Sequence, residues 1–279
     1  NFLDDSDDVT DTNGHGTMVG GIIGATANNN RGVSGVAPEV QLYSYKTGEG
    51  PGISLQAVAS AFSAAGEENI PVINASIGGG YYKPLETAVL NNPDQLYVVA
   101  AGNDGSNNDN KGTYPCNLPA ENIICVAATD QDDKLAVFSN KGKKSVDLAA
   151  PGQDIYSTYF YNSYAIFDGT SAASPFIAGV AALVKQKHPD YTPIQIKQVL
   201  LNTVAKKPTL KGVTVSGGRV DAAAAVNAPK LVQPKINIKP KASSKGGIYV
   251  FGSVAAFDLS SDNSKNSFEC RIDSQRDWV

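Results

Sequence analysis

Between Val40 and Ala205, short β-branched runs alternate with longer segments of small apolar residues at helical spacing. That alternation restricts the chain to one broad solution, a mostly parallel sheet covered by helices on both faces, because parallel strands need long crossover connections. Residues 40–46, 70–76, 96–103 and 123–129 read as strands, and residues 53–68 and 83–92 read as helices between them. Two more helices are predicted at residues 172–188, with Pro175 tolerated in the first turn, and at residues 193–205. The second has a defined start: Thr192 can cap, Pro193 suits the first helical position, and Gln195 completes a Thr-x-x-Gln capping box. The fold class is α/β.

After Asn227 the Ala-rich helical sequence gives way to Pro229, Pro234 and Pro240 interleaved with lysines, then to Ser243-Ser244-Lys245-Gly246-Gly247. This is linker composition. The expected organisation is a main domain over residues 1–228, a linker over 229–247 and the opening of a β-rich second domain over 248–279. Residues 248–259 and 267–272 read as its first two strands, too few to close a core. The chain is therefore expected to be a piece of a longer protein.

Twenty-three Lys and Arg against 27 Asp and Glu give a net charge of −4, so there is no basic surplus to neutralise nucleic-acid phosphates or an anionic bilayer. No apolar stretch approaches the roughly 20 residues of a membrane-spanning helix, and the acid-rich opening residues do not resemble a signal peptide. Cys116, Cys125 and Cys270 fit neither a zinc spacing nor a Cys-x-x-Cys motif. Cys116 and Cys125 flank a short loop-like segment containing Pro119, which would allow a local disulfide in an exported protein; two free buried thiols are the alternative.

Three constellations carry chemistry. Gly169-Thr170-Ser171-Ala172-Ala173-Ser174-Pro175 runs into an apolar helix, placing Ser171 at a helix N-terminus where unpaired N–H groups and the dipole can stabilise an oxyanion. The bland reading of such a serine is an N-cap. Asn13-Gly14-His15-Gly16-Thr17 sets one of the chain's two histidines between glycines that permit close backbone approach, a position suited to a general base. The other, His188, reads as a helix C-terminal cap. Ala100-Ala101-Gly102-Asn103 is a strand end at which Asn103 can present an amide donor or simply fill a turn.

Taken in order, Gly14-His15-Gly16-Thr17, Ala100-Ala101-Gly102-Asn103 and Gly169-Thr170-Ser171 through Pro175 resemble the subtilisin-like serine peptidases over residues 11–226. The resemblance implies an endopeptidase with Ser171 as acyl-forming nucleophile, His15 as general base and acid, and Asn103 beside the Ser171 backbone N–H in the oxyanion hole. It also implies a peptide laid along Asn74-Ala75-Ser76-Ile77-Gly78-Gly79-Gly80. Ser76, Ile77, Gly78 and Gly79 would face Ala100, Ala101 and Gly102 across the pocket for the side chain before the scissile bond, with main-chain bonds giving broad specificity. Polypeptides are the implied partners, with a propeptide or inhibitor at the cleft, in a secreted or cell-surface location. No cofactor is needed for chemistry. The loop Asn28-Asn29-Asn30-Arg31-Gly32-Val33 resembles a family calcium loop in which Asn29 would be the side-chain ligand.

Several positions depart from the family pattern. Met18 stands where histidine is frequent, Ala172 where methionine is usual and Phe176 where histidine is common. The third triad member, an aspartate on a strand preceding the histidine, has no counterpart, since only 14 residues precede His15. Asp4, Asp5, Asp7, Asp8 and Asp11 occupy the approach loop instead. Loss of that orienting carboxylate costs about 10⁴-fold in turnover, so a peptide-binding pseudo-protease is the competing expectation. The tail around Phe268-Glu269-Cys270 weakly resembles an immunoglobulin-like repeat, and an adhesive role built on it is the third.

Overall fold

The computed structural model describes residues 1–50, 52–231, 235–238 and 257–260. The chain divides into two units, Asn1–Ala228 and Pro229–Val279. From the amino end come helix α1 (His15–Gly24), strands β1 (Gly48–Glu49) and β2 (Gly52–Ile53), α2 (Leu55–Glu67), β3 (Val72–Ala75), α3 (Lys83–Asn91), β4 (Leu96–Ala100), β5 (Ile123–Thr129) and β6 (Leu148–Pro151). Then follow β7 (Ile155–Tyr159), β8 (Ser163–Phe167), α4 (Thr170–Lys187), α5 (Pro193–Asn202), β9 (Ala205–Lys206), β10 (Gly218–Arg219) and α6 (Ala222–Val226).

The main sheet has the order β3-β4-β5-β6-β10-β9, parallel throughout except for the β9–β10 pair. Every residue of β4 and β5 is buried, as expected of strands covered on both faces. On one face Tyr97 and Val99 of β4 join Cys125 and Ala127 of β5 in a core with Val58 and Phe62 of α2 and Leu85 and Val89 of α3. Helix α4 covers the other face, in contact with β3, β4, β5 and β6, and α1 packs on α4. A disulfide joins Cys116 to Cys125, tying the long loop after β4 to the middle of β5.

The helices begin and end where local chemistry sets them. The Thr192 hydroxyl accepts from Gln195 N–H while Gln195 Oε1 accepts from Thr192 N–H, so the predicted capping box is formed. Helix α5 stops at Asn202, three residues short of expectation, because Ala205 and Lys206 pair with β10.

The predicted strand at residues 40–46 is absent. The stretch makes no ladder, and Leu42 and Tyr43 are 46% and 50% exposed. Its residues have the right propensity, but a strand exists when a neighbour takes its N–H and C=O groups, and none of the described strands does so. The sheet ends at β3, whose outer edge is likewise unpaired among the described residues.

In the second unit, β11 (Lys235–Ile238) pairs antiparallel with β12 (Phe257–Ser260). Strand β11 falls within the stretch read as linker, and β12 overlaps the end of the strand expected at 248–259. The rest of that strand, the one at 267–272 and Cys270 lie outside the described residues.

Candidate active site

Two of the motif residues meet beyond the carboxyl ends of parallel strands, Asn103 bonding Thr170 after β4 and Ser171 bonding Ser76 after β3, while His15 packs on Phe167 of β8. Asn103 follows β4, Ser171 is the second residue of α4, and His15 opens α1. Crossing between strand ends and helix starts is where an open α/β sheet leaves a crevice.

The position of Asn103 is set by Thr170. Asn103 Oδ1 accepts from Thr170 N–H at 2.8 Å and from Thr170 Oγ1 at 2.9 Å, while Thr170 Oγ1 accepts from Gly102 N–H at 3.1 Å. With its oxygen committed, the amide leaves Nδ2 without an acceptor among the described residues. The Ser171 N–H likewise has none, since the first turn of α4 closes through Ala172 and Ala173 onto the Gly169 carbonyl. Gly169 lies at φ 142°, and a Cβ placed there would sit 3.3 Å from Asn103 Nδ2 and 3.5 Å from Ser171 N. Glycine thus leaves a small open space flanked by two free donors, at the positive end of an 18-residue helix. That is the geometry of an anion cradle next to a hydroxyl.

The Ser171 hydroxyl donates to the Ser76 carbonyl at 3.1 Å. The Ser76 hydroxyl in turn donates to the Ser171 carbonyl at 2.8 Å, lies 2.8 Å from Ser174 Oγ and accepts from Asn74 Nδ2 at 2.9 Å. These bonds clamp the end of β3 onto the start of α4. Asn74 Oδ1 is buried without a partner among the described residues.

His15 packs edge-to-face on Phe167 of β8, ring centroids 5.3 Å apart, and no hydrogen bond to its ring is formed among the described residues. Burial holds its pKa below the usual imidazole value, opposed by the charge of Asp11. It is the neutral, proton-accepting form that this environment favours. The preceding Gly14 has φ 91°, and a Cβ there would lie 2.1 Å from the Tyr159 ring. The close approach expected at this glycine is made by an aromatic side chain of β7 instead of by backbone. The β7 hydroxyls fasten the helix, Ser157 donating to the Met18 carbonyl at 2.7 Å and Thr158 to the Thr17 carbonyl at 2.9 Å.

Asp11 is not an orienter for His15. Its Oδ1 accepts from Asn13 and Gly14 N–H and its Oδ2 from Thr17 N–H and Oγ1, so the carboxylate caps the first turn of α1. Burial alone would raise its pKa, but these bonds outweigh it and hold the group at about 2. Asp4 and Asp8 accept backbone bonds in local turns, from Ser6 and Thr10.

Around the peptide site, Gly79 exchanges both backbone bonds with Tyr114, at 2.9 and 3.0 Å. Ile77 and Gly78 are left as the unpaired edge, whereas Ser76 is 7% exposed and spent on the clamp. Ala100 and Ala101 are buried, and the Ala101 carbonyl accepts from Asn108 Nδ2 at 2.8 Å and Asn140 Nδ2 at 3.1 Å. Their backbone is a fixed wall. Asn140 Oδ1 accepts from Asp104 and Ser106 N–H, both at 3.0 Å, shaping the turn that carries Asn103. Sequence reading missed Thr170, Asn108 and Asn140. Thr170 lay inside a recognised motif, but the two asparagines join across dozens of residues with no local signature.

The three departures from the family pattern gather in one place: Met18, Ala172 and Phe176 pack with Ile22, Phe167 and Val19 in a single apolar cluster behind the site. They exchange packing with one another. In the Asn28-to-Val33 loop, Asn29 Oδ1 accepts from Arg31 N–H at 3.0 Å, closing a turn, and no group of three or more acidic, His or Cys side chains able to hold a metal exists among the described residues. Asn29 Oδ1 is engaged in this turn, and no step of the chemistry runs through a metal.

Known proteins with similar sequences and structures place the chain in a family. The chain is 41% identical over 217 residues to the Thermostable alkaline protease of Halalkalibacterium halodurans, covering 76% of this chain and 58% of that protein. It is 40% identical over 206 residues to Subtilisin Savinase of Lederbergia lenta, covering 72% and 74%. Among the first curated relatives the chain spans little more than half their length, 58%, 53% and 52%. A cold adapted subtilisin-like serine proteinase of known structure superposes with a TM-score of 0.71 at 30% identity over 78% of both chains. A protease from Pseudoalteromonas arctica does so at 0.69 and 33%, covering 77% of this chain and 70% of that one. The model of the subtilase family matches residues 1–227, and with these relatives it establishes that the chain belongs to the subtilase family.

Proposed function

We propose that residues 1–228 form the catalytic unit of a secreted serine endopeptidase that cleaves unstructured polypeptide through an acyl-enzyme on Ser171. The observation that carries this reading is the pair of free donors, Asn103 Nδ2 and Ser171 N–H, flanking the space left by Gly169. Ser171 Oγ turns from the Ser76 carbonyl, gives its proton to His15 and bonds to the substrate carbonyl carbon. The oxygen takes up negative charge between the two donors, where each is worth about 3–4 kcal/mol. The C–N bond then breaks as His15 passes the proton to the leaving amine. Water repeats the sequence against the acyl ester, restoring Ser171. An extended substrate pairs with the Ile77–Gly78 backbone, and its side chain enters between that edge and the wall of Ala100, Ala101 and Gly102. This reading requires a carboxylate that orients His15, and none of the described residues bonds its ring. Export is supported by the Cys116–Cys125 disulfide.

A second reading is favoured by one specific observation. No carboxylate contacts His15 among the described residues and Ser171 is bonded to Ser76, which is the arrangement of a peptide-binding cleft without turnover. A fluorophosphonate separates the two. Covalent labelling of the chain that vanishes in Ser171→Ala is expected; labelling that persists in that variant overturns the nucleophile assignment. An unlabelled chain that still binds an unstructured peptide saturably favours the second reading.

A further inference from the structure

A cavity of about 530 Å³ lies away from the active site and shares no lining residue with it. Four lysines line it, Lys143, Lys206, Lys207 and Lys211, together with the turn from Thr214 to Ser216. In a chain of net charge −4, four cations around one cavity are a local reversal of sign. Two of them are committed: Lys206 Nζ donates to the Ser216 carbonyl at 2.6 Å, and Lys207 pairs with Asp133 at 2.5 Å. The ammonium groups of Lys143 and Lys211 have no acceptor among the described residues, and both residues are exposed.

One lining residue is itself buried. Ser216 is 9% exposed, and its Oγ is buried with no hydrogen-bond partner among the described residues. The turn is rigid: Val215 and Ser216 N–H donate to the Val146 and Asp147 carbonyls at 2.8 and 2.9 Å, and Gly217 N–H donates to Thr214 Oγ1 at 3.0 Å. Two free ammonium groups on the lining of one cavity suit a ligand rich in oxygen acceptors and negative charge. The volume exceeds what one tetrahedral anion fills.

We propose that this cavity binds a multivalent oxyanion of the phosphate or sulfate class, either free or as ester groups carried on a polysaccharide. Charge-assisted bonds from Lys143 and Lys211 hold its oxygens. The proposal stands independently of peptidase activity. Isothermal titration of the full chain with inorganic tripolyphosphate, and in a parallel arm with a sulfated tetrasaccharide, tests it. One saturable site is expected, weakened about 10-fold or more in Lys143→Gln/Lys211→Gln, with the melting temperature of that variant unchanged. Tighter binding of the tetrasaccharide identifies a polysaccharide source, and tighter binding of tripolyphosphate a free oligoanion; either supports the site. Absence of saturable binding for both probes, or equal affinity in wild type and the double lysine variant, overturns it.

Discussion

Asn103 divides its amide between two tasks. Its oxygen is locked by Thr170 and its nitrogen is thereby aimed at the space beside Ser171. Replacing it with Ala should lower kcat by ~10²–10³-fold with KM nearly unchanged, because the lost bond forms as charge develops. Steady-state kinetics on a peptide substrate check this, and an equal rise in KM would point to a ground-state contact. Thr170→Val keeps the Asn103 nitrogen but removes one of the two bonds that aim it, so a smaller fall in kcat in the same direction is expected. His15 offers a separate readout. Burial depresses its pKa below the ordinary 6.5 against the opposing charge of Asp11. With one other histidine in the chain, ring-proton resonances followed by NMR against pH will resolve it, His15→Ala giving the assignment. The expected midpoint lies below 6.5 and falls further in Asp11→Asn. A midpoint above 6.5 would mean that a carboxylate engages the ring.

At the scale of elements, the loop between β4 and β5 is held by buried amides. Asn140 is fully buried and bonds Ala101, Asn108, Asp104 and Ser106. Asn140→Ala leaves the two turn N–H groups unpaired, and chemical denaturation should show a loss of about 2–4 kcal/mol. Activity should fall with it, since that turn presents Asn103. The depressed pKa of Asp11 gives α1 a pH-dependent start: its contribution is complete above the ordinary carboxylate value of 3.8 and is lost as pH drops towards about 2. Sequence made some of this readable. The β5 strand is legible at its full extent because a buried β-branched run needs no context, and the start of α5 because its cap is written within the four residues Thr192 to Gln195. The β7–β8 hairpin was not read, since its alternation is carried by Ser, Thr and Tyr and it turns on Tyr161 and Asn162, both at positive φ, without a glycine. Residues 40–46 failed for the opposite reason: their composition satisfied a strand, but pairing is a property of neighbours. In the site, the motif residues were legible and their supports were not, because Asn140 reaches Ala101 across 39 positions.

On the scale of the whole molecule, the division between Ala228 and Pro229 falls where helical composition gives way to proline and lysine. The first unit owns a core whose members, from Val58 to Leu210, all precede that boundary. Its last helix, α6, is capped from within the unit by Asp221, whose Oδ1 accepts from Ala224 N–H at 2.8 Å, and Lys187 reaches Asn227 at 3.4 Å. The α6 helix also packs against α4, which carries Ser171. A boundary that leaves the core and final cap intact predicts an autonomous domain. Deleting every residue after Ala228 should therefore leave a single cooperative thermal transition, and fluorophosphonate labelling at Ser171 equal to that of the full chain. Loss of the transition would mean that residues beyond Ala228 complete the first unit's core. Retention of the transition with loss of labelling would instead assign the second unit a part in shaping the cleft. Deleting α6 as well is the stringent control, because it uncovers α4 directly: here both the transition and the labelling should be lost together.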